Sequence, residues 1–150
     1  MRFRLETLLK VRRAREDACK RVVAARLGHI EKLTAQKTSI EAQISSQATS
    51  MRAALSGESA DVDFLRWGRH WITRLRMQSA RVDAETAAHR ALLAHEREKL
   101  AAARKETKIL ERLKERQFEA AAAEESARER RESDDMNSIR FVYDSIAEMD

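Results

Sequence analysis

Ser56-Gly57-Glu58-Ser59-Ala60-Asp61 is the one good break in an otherwise helix-forming sequence. Gly57 suits the left-handed position that ends many helices. Ser59 or Asp61 can cap a following helix, and the carboxylates of Asp61 and Asp63 suit its positive end. The chain has no proline, and its other glycines, Gly28 and Gly68, lack turn-forming neighbours. The reading is therefore two very long helices, one on each side of the turn, folded back on each other. The competing reading is a kink in one continuous helix; the coincidence of Gly57 with two cap residues favours the turn.

Composition agrees with long helices. Ala, Glu, Lys, Leu and Arg supply 85 of the 150 residues, which marks coiled coils rather than mixed folds. Aromatic residues are 5% and charged residues 37%, too few large apolar side chains for a globule of this size. The expected fold is all-α, an elongated antiparallel two-helix coiled-coil hairpin with a C-terminal helical overhang. Its boundaries are a helix over 3–55, a turn over 56–60, a helix over 61–132 and a tail over 133–150, all within one coiled-coil domain. The first helix would be roughly 80 Å long, and circular dichroism should show roughly 80% helix or more.

In the first helix, Leu5, Leu9, Cys19, Val23, Ile30, Leu33, Ile40, Ile44 and Met51 share one heptad register. Arg12, Glu16, Arg26, Lys37 and Gln47 fall on the same register and make it imperfect. A second stripe, Leu8, Val11, Ala18, Val22 and Ala25, broadens the apolar face near the N-terminus. In the second helix the register holds Leu65, Gly68, Ile72, Leu75, Val82, Leu93, Leu100, Ala103 and Leu110. The alanines Ala80, Ala84, Ala87, Ala88, Ala91 and Ala94 predict a segment where the helices approach closely. The turn places residue i opposite a partner near 117 minus i, so the basic N-terminal segment lies beside Glu106, Glu111 and Glu115. That position gives its arginines a purely structural role as exposed ion pairs. Past about residue 120 the second helix has no partner, and the piece carrying Ile139, Val142, Tyr143 and Ile146 reads as a tail.

The net charge of +5 is unevenly spread. Residues 1–26 hold nine Lys or Arg against three acids, and residues 64–82 hold five Arg and no acid. Residues 119–150 hold ten acids against four Arg. The lone Cys19 excludes an internal disulfide and reads as a small buried hydrophobe in a reducing compartment. No apolar run approaches 18 residues, and the N-terminus lacks a signal-peptide core, so a cytosolic protein is expected. Three scattered glycines make no phosphate-binding loop. The histidines His29, His70, His89 and His95 have no metal-ligand spacing and read as solvated. No catalytic group, cofactor or metal site is expected, and the chain does not read as an enzyme.

The unusual feature is aromatic. Phe64, Trp67 and Trp71 share one helix face just past the turn, beside Leu65, Ile72 and Leu75. Two strands of coiled coil cannot bury a whole Trp on each face, and Trp flanked by Arg suits a binding hot spot. The plainer reading is a local cap over the hairpin tip.

Several of these segments resemble the flagellar FliJ family of the bacterial type III export apparatus. They are Phe3-Arg4-Leu5-Glu6-Thr7-Leu8-Leu9-Lys10-Val11-Arg12, the stretch Phe64 to Leu75, the block Lys105 to Phe118 and the acidic stretch Glu124 to Asp135. The resemblance spans about 130 residues in order, and each motif alone is weak. It implies an antiparallel coiled-coil stalk whose terminal end enters the ring of the export ATPase, through Arg2, Arg4, Leu5, Leu8, Arg12, Arg13 and Arg15. It implies that the tip side engages the cytoplasmic domain of the membrane export-gate protein, through Trp67, Trp71, Leu75, Ile44 and Gln47. The matching first-helix region, about Ile40 to Met51, lacks the tyrosines common in the family. Export chaperones are further implied partners, and the implied location is the cytoplasmic face of the inner membrane. The alternatives are a virulence-system stalk protein, a basic coiled coil that binds nucleic acid, and a scaffold. Alternating acids and the lack of a long basic stretch oppose nucleic acid.

Overall fold

The computed structural model describes residues 4–147, with side chains described through residue 144. Two helices make up 94% of them: α1 (Glu6–Leu55) and α2 (Val62–Ala147). No strand occurs among the described residues. By packing, the chain divides into two units. Unit 1 joins the start of α1, through Arg15, to α2 from Arg104 onward; unit 2 runs from Glu16 to Ala103 and contains the turn.

Burial in α1 follows the heptad register without interruption. Leu9 and Ile40 are buried, and Arg12, Glu16, Cys19, Val23, Arg26, Ile30, Leu33, Lys37, Ile44, Gln47 and Met51 are half-buried. The polar members are not gaps in the seam. The basic ones, Arg12, Arg26 and Lys37, lay their methylenes along it and carry their charged ends to acids on α2, while Glu16 pairs with Lys20 on its own helix. In unit 2, Arg26 donates to Glu96 at 2.7 Å and Lys37 to Asp83 at 2.7 Å. One buried cluster of this unit is Ile40, Leu75 and Val82, with Leu33, Ile44 and Trp71 packed against it, and Leu93, Leu100 and Ala103 are buried further along α2. In unit 1, Arg12 donates to Glu106, Arg13 to Glu111 at 2.9 Å, and Lys114 to Glu6 at 2.8 Å. In each unit the numbers of facing residues add up to about 120, a few residues from the expected 117.

The turn is built differently from its sequence reading. Gly57 does not adopt a left-handed conformation; no described residue has positive φ. The end of α1 is closed by Ser56 instead. Its N–H donates to Arg52 O at 3.2 Å and its hydroxyl to Ala53 O at 2.9 Å. Two of the last orphan carbonyls are thereby satisfied without a reversed residue. Asp61, not Ser59, is the N-cap of α2: its Oδ1 accepts from the N–H groups of Asp63 at 3.0 Å and Phe64 at 3.2 Å. Asp61→Ala is expected to lower stability by about 1 kcal/mol, read as a lower urea midpoint with an unchanged slope.

Two further expectations are corrected. The alanines Ala80, Ala84, Ala87, Ala88, Ala91 and Ala94 are all exposed, so they do not form a close-approach seam. Close approach occurs at Gly68, which is buried. A Cβ there would sit 2.7 Å from Met51 Sδ and 3.0 Å from Gln47 Nε2. The segment after Glu132 is not a frayed tail but helix as far as Ala147. No Gly or Pro follows Gly68 to stop it. Local bonds sustain it: Arg128 with Glu125 at 2.8 Å, and the Ser138 hydroxyl to Asp134 O at 2.9 Å. Phe3, proposed as the helix start, lies outside the described residues, as does the Ile146 side chain.

Candidate interaction surfaces

Unit 1 has two unlike sides. The Arg13–Glu111 pair marks one of them, where Lys114, Glu115, Phe118 and Glu119 line an open groove. On the other side Arg15 reaches Glu106 at 3.7 Å. Leu8 and Val11 stand on the same helical stripe as Arg15, and Ile109 and Leu113 on the same stripe as Glu106. That ion pair therefore sets the two stripes edge to edge. Leu8, Val11, Ile109 and Leu113 form an apolar patch in which each residue is between 38% and 58% exposed.

The proposed terminal contacts divide accordingly. Leu5 and Leu8 are exposed, as is Arg4. Arg12, Arg13 and Arg15 are engaged with Glu106 and Glu111, which is the structural role that the sequence pairing anticipates. Arg2 lies outside the described residues. The sequence reading missed Ile109 and Leu113 because they belong to neither heptad seam. Only the register of one helix against the other shows that they adjoin Leu8 and Val11.

The tip residues in unit 2 also divide. Trp67 is 55% exposed, and its ring lies 6.0 Å from that of Trp71, nearly parallel at 5°. The Phe64 ring lies 6.5 Å from that of Trp67, tilted by 31°. Trp71 is half-buried and packs on the Ile40–Leu75–Val82 core. Leu75 is only 3% exposed, and Ile44 packs on the same core. Both therefore face the partner helix rather than an outside surface. Gln47 sits half-buried in the seam with its Nε2 buried and lacking a hydrogen-bond partner. As a result, Trp67 and Trp71 are the members of this set that a partner can reach.

The fold also pairs residues that the sequence kept apart. His29 and His89 stack across the helices at 5.6 Å, and His89 Nδ1 lies 2.8 Å from Arg26. Among the described residues, no group of three or more His, Cys, Asp or Glu could hold a metal ion. None of the described helices is long and apolar enough to cross a membrane.

A family model described as Flagellar FliJ protein matches residues 1–143. The chain belongs to the flagellar FliJ family. It is thus a stalk protein of the flagellar export apparatus, from a non-catalytic family. No curated protein and no solved structure gives a significant match. The family match covers both units, including α2 through the acidic overhang and as far as Tyr143.

The cross-helix pairs make this FliJ-family chain sensitive to acid. The hydrogen bond from Lys114 holds the Glu6 carboxyl below its ordinary 4.5, and the hydrogen bond from Arg26 does the same for Glu96. A lowered carboxylate contributes stability above its unfolded value and loses it as pH falls through the lower, folded one. Hydrogen bonds to Glu16 and Asp83 raise Lys20 and Lys37 above 10.5, so their contribution is lost only in strong alkali. The thermal midpoint should therefore start to fall below pH 4.5. Glu6→Gln combined with Glu96→Gln should flatten that fall; an unchanged acid profile would contradict the assignment.

Proposed function

We propose that this chain is the coiled-coil stalk that inserts into the ring of the export ATPase, promotes its activity and couples it to the cytoplasmic domain of the export gate. A role in export-chaperone cycling belongs to the same reading. The chain then works in the cytoplasm, peripherally at the inner-membrane export apparatus. The observation that carries this reading is the family match together with two separate accessible surfaces. Unit 1 offers the apolar patch around Leu8 and Leu113, and unit 2 offers Trp67 and Trp71.

The reading assigns the ATPase ring to unit 1. Arg4, Leu5 and Leu8 supply contacts from α1, and Ile109 and Leu113 add contacts from α2. Arg12, Arg13 and Arg15 hold the two helices together there, and the Arg15–Glu106 pair borders the patch. Arg2 belongs to the same proposed surface. A mostly charged surface with a small apolar patch suits an axle that shifts within a ring, because charge steers insertion without one fixed lock.

Two variants test the assignment. Deleting residues 1–15 should abolish stimulation of the cognate export ATPase, but it also strips α2 of its partner in unit 1. Leu8→Asp combined with Leu113→Asp is the cleaner test, since neither side chain belongs to the buried seam. It should keep wild-type helicity and lose most of the stimulation. Full stimulation by this double variant would refute the unit 1 assignment.

A further inference from the structure

The arginines of this chain fall into two kinds. Arg12, Arg13, Arg15 and Arg26 all meet acids across the helices. Arg66, Arg69, Arg74, Arg76 and Arg81 are all exposed, and none forms an ion pair among the described residues. No acid occurs in residues 64–82, nor in residues 42–57, where Arg52 is the sole charged residue. These two segments face each other, as the closeness of Gly68 to Met51 and Gln47 shows. The result is a stretch of unit 2 with six arginines, bounded by Asp63 on one side and by Glu41 and the Lys37–Asp83 pair on the other.

Three of these arginines share one face of α2, while Arg69 and Arg76 lie outside it. At 100° per residue, Arg66, His70, Arg74, Met77 and Arg81 occupy a sector of ~80°, opposite the seam of Gly68, Ile72 and Leu75. Met77 is 70% exposed among these arginines, and a shallow groove runs between Arg74, Met77, Gln78 and Arg81. Trp67 borders the sector. Cations left unpaired on a protein surface remain fully available to an external anion, and so large a one-signed patch attracts an extended anionic surface.

We propose that this face of α2 docks on the anionic headgroups of a phospholipid bilayer, with Arg66, Arg74 and Arg81 as the principal contacts. Guanidinium groups interspersed with an exposed Met and a bordering Trp suit a headgroup layer, where charges meet phosphates and the apolar tips enter the interface. Single-stranded nucleic acid fits less well. It needs an open aromatic face for base stacking, whereas Trp71 already stacks on the Trp67 ring and Phe64 lies tilted beside it. A bilayer also requires no fixed geometry of individual partners, which matches a face with no buried polar anchor.

The full chain, sedimented with phosphatidylcholine vesicles at low salt, tests this. Binding should appear when phosphatidylglycerol is included and vanish without it. Each arginine near an anionic surface adds about one factor of five in partitioning, so Arg66→Glu/Arg74→Glu/Arg81→Glu should weaken binding at least ~100-fold. The corresponding triple Gln variant, which keeps the helix and only removes charge, should show a smaller loss of the same sign. Arg128→Glu/Arg130→Glu/Arg131→Glu, an equal charge change on the overhang, should bind as wild type does. Three outcomes would overturn the proposal: no binding to the anionic vesicles, equal losses from the two Glu triples, or tighter Arg66-, Arg74- and Arg81-dependent binding to a single-stranded oligonucleotide than to vesicles.

Discussion

Leu75→Ala is expected to destabilise this chain by ~2–5 kcal/mol, the range for truncating a well-packed Leu or Ile. Leu75 is 3% exposed and packs with Ile40 and Val82 in one buried cluster of unit 2. With so narrow a seam, few neighbours can move in to fill the cavity. The loss should appear as a lower urea midpoint and a lower thermal midpoint by circular dichroism. Weakened gate binding by this variant would then follow from the damaged fold rather than from a lost contact. A wild-type melting curve would place the Leu75 side chain on an outer surface instead.

Trp67→Ala should separate binding from folding. The Trp67 indole is half exposed, so its removal leaves the core intact. Truncating a Trp hot spot costs at least ~2 kcal/mol, which corresponds to a loss of at least ~30-fold in affinity for the export-gate domain. Trp71→Ala should weaken gate binding to a similar degree and also lower the melting midpoint, because Trp71 packs on the core as well as facing outward. Isothermal titration with the gate domain, alongside thermal melts, reads both effects. Wild-type affinity in the Trp67→Ala/Trp71→Ala double variant would reject this surface as the gate contact. The stacking of Trp67 on Trp71 would then serve only to close the tip.

Much of the fold was legible because a heptad seam is written in one dimension. Leu9, Ile40, Leu75, Val82 and Leu93 stand where periodicity puts them, and all are buried. The polar positions Arg12, Arg26 and Lys37 looked like faults in that pattern. They obey it, since a long basic side chain can follow the seam and end on an acid of the other helix. That acid is invisible until the register is known. The same limit hid the His29–His89 stack and the patch shared by Leu8, Val11, Ile109 and Leu113.

Other misreadings came from local signals that tertiary structure did not need. Gly57 invited a left-handed cap, yet Ser56 satisfied the last carbonyls first. Asp134, Asp135, Asn137 and Ser138 have weak helix propensity, but without Gly or Pro their summed cost does not stop α2. Leu75 was expected among the gate contacts because the resemblance implies it. It lies on the α2 heptad seam as well, and the seam decided its orientation.

The proposed stalk acts through unit 1 on the export ATPase and through unit 2 on the gate. The most direct test is ATP hydrolysis by the cognate export ATPase, titrated with wild-type chain, Leu8→Asp/Leu113→Asp and Trp67→Ala/Trp71→Ala. Wild-type chain and the tryptophan double variant should both stimulate hydrolysis, while the leucine double variant should not. Equal stimulation by all three, or loss only with the tryptophan variant, would contradict the assignment.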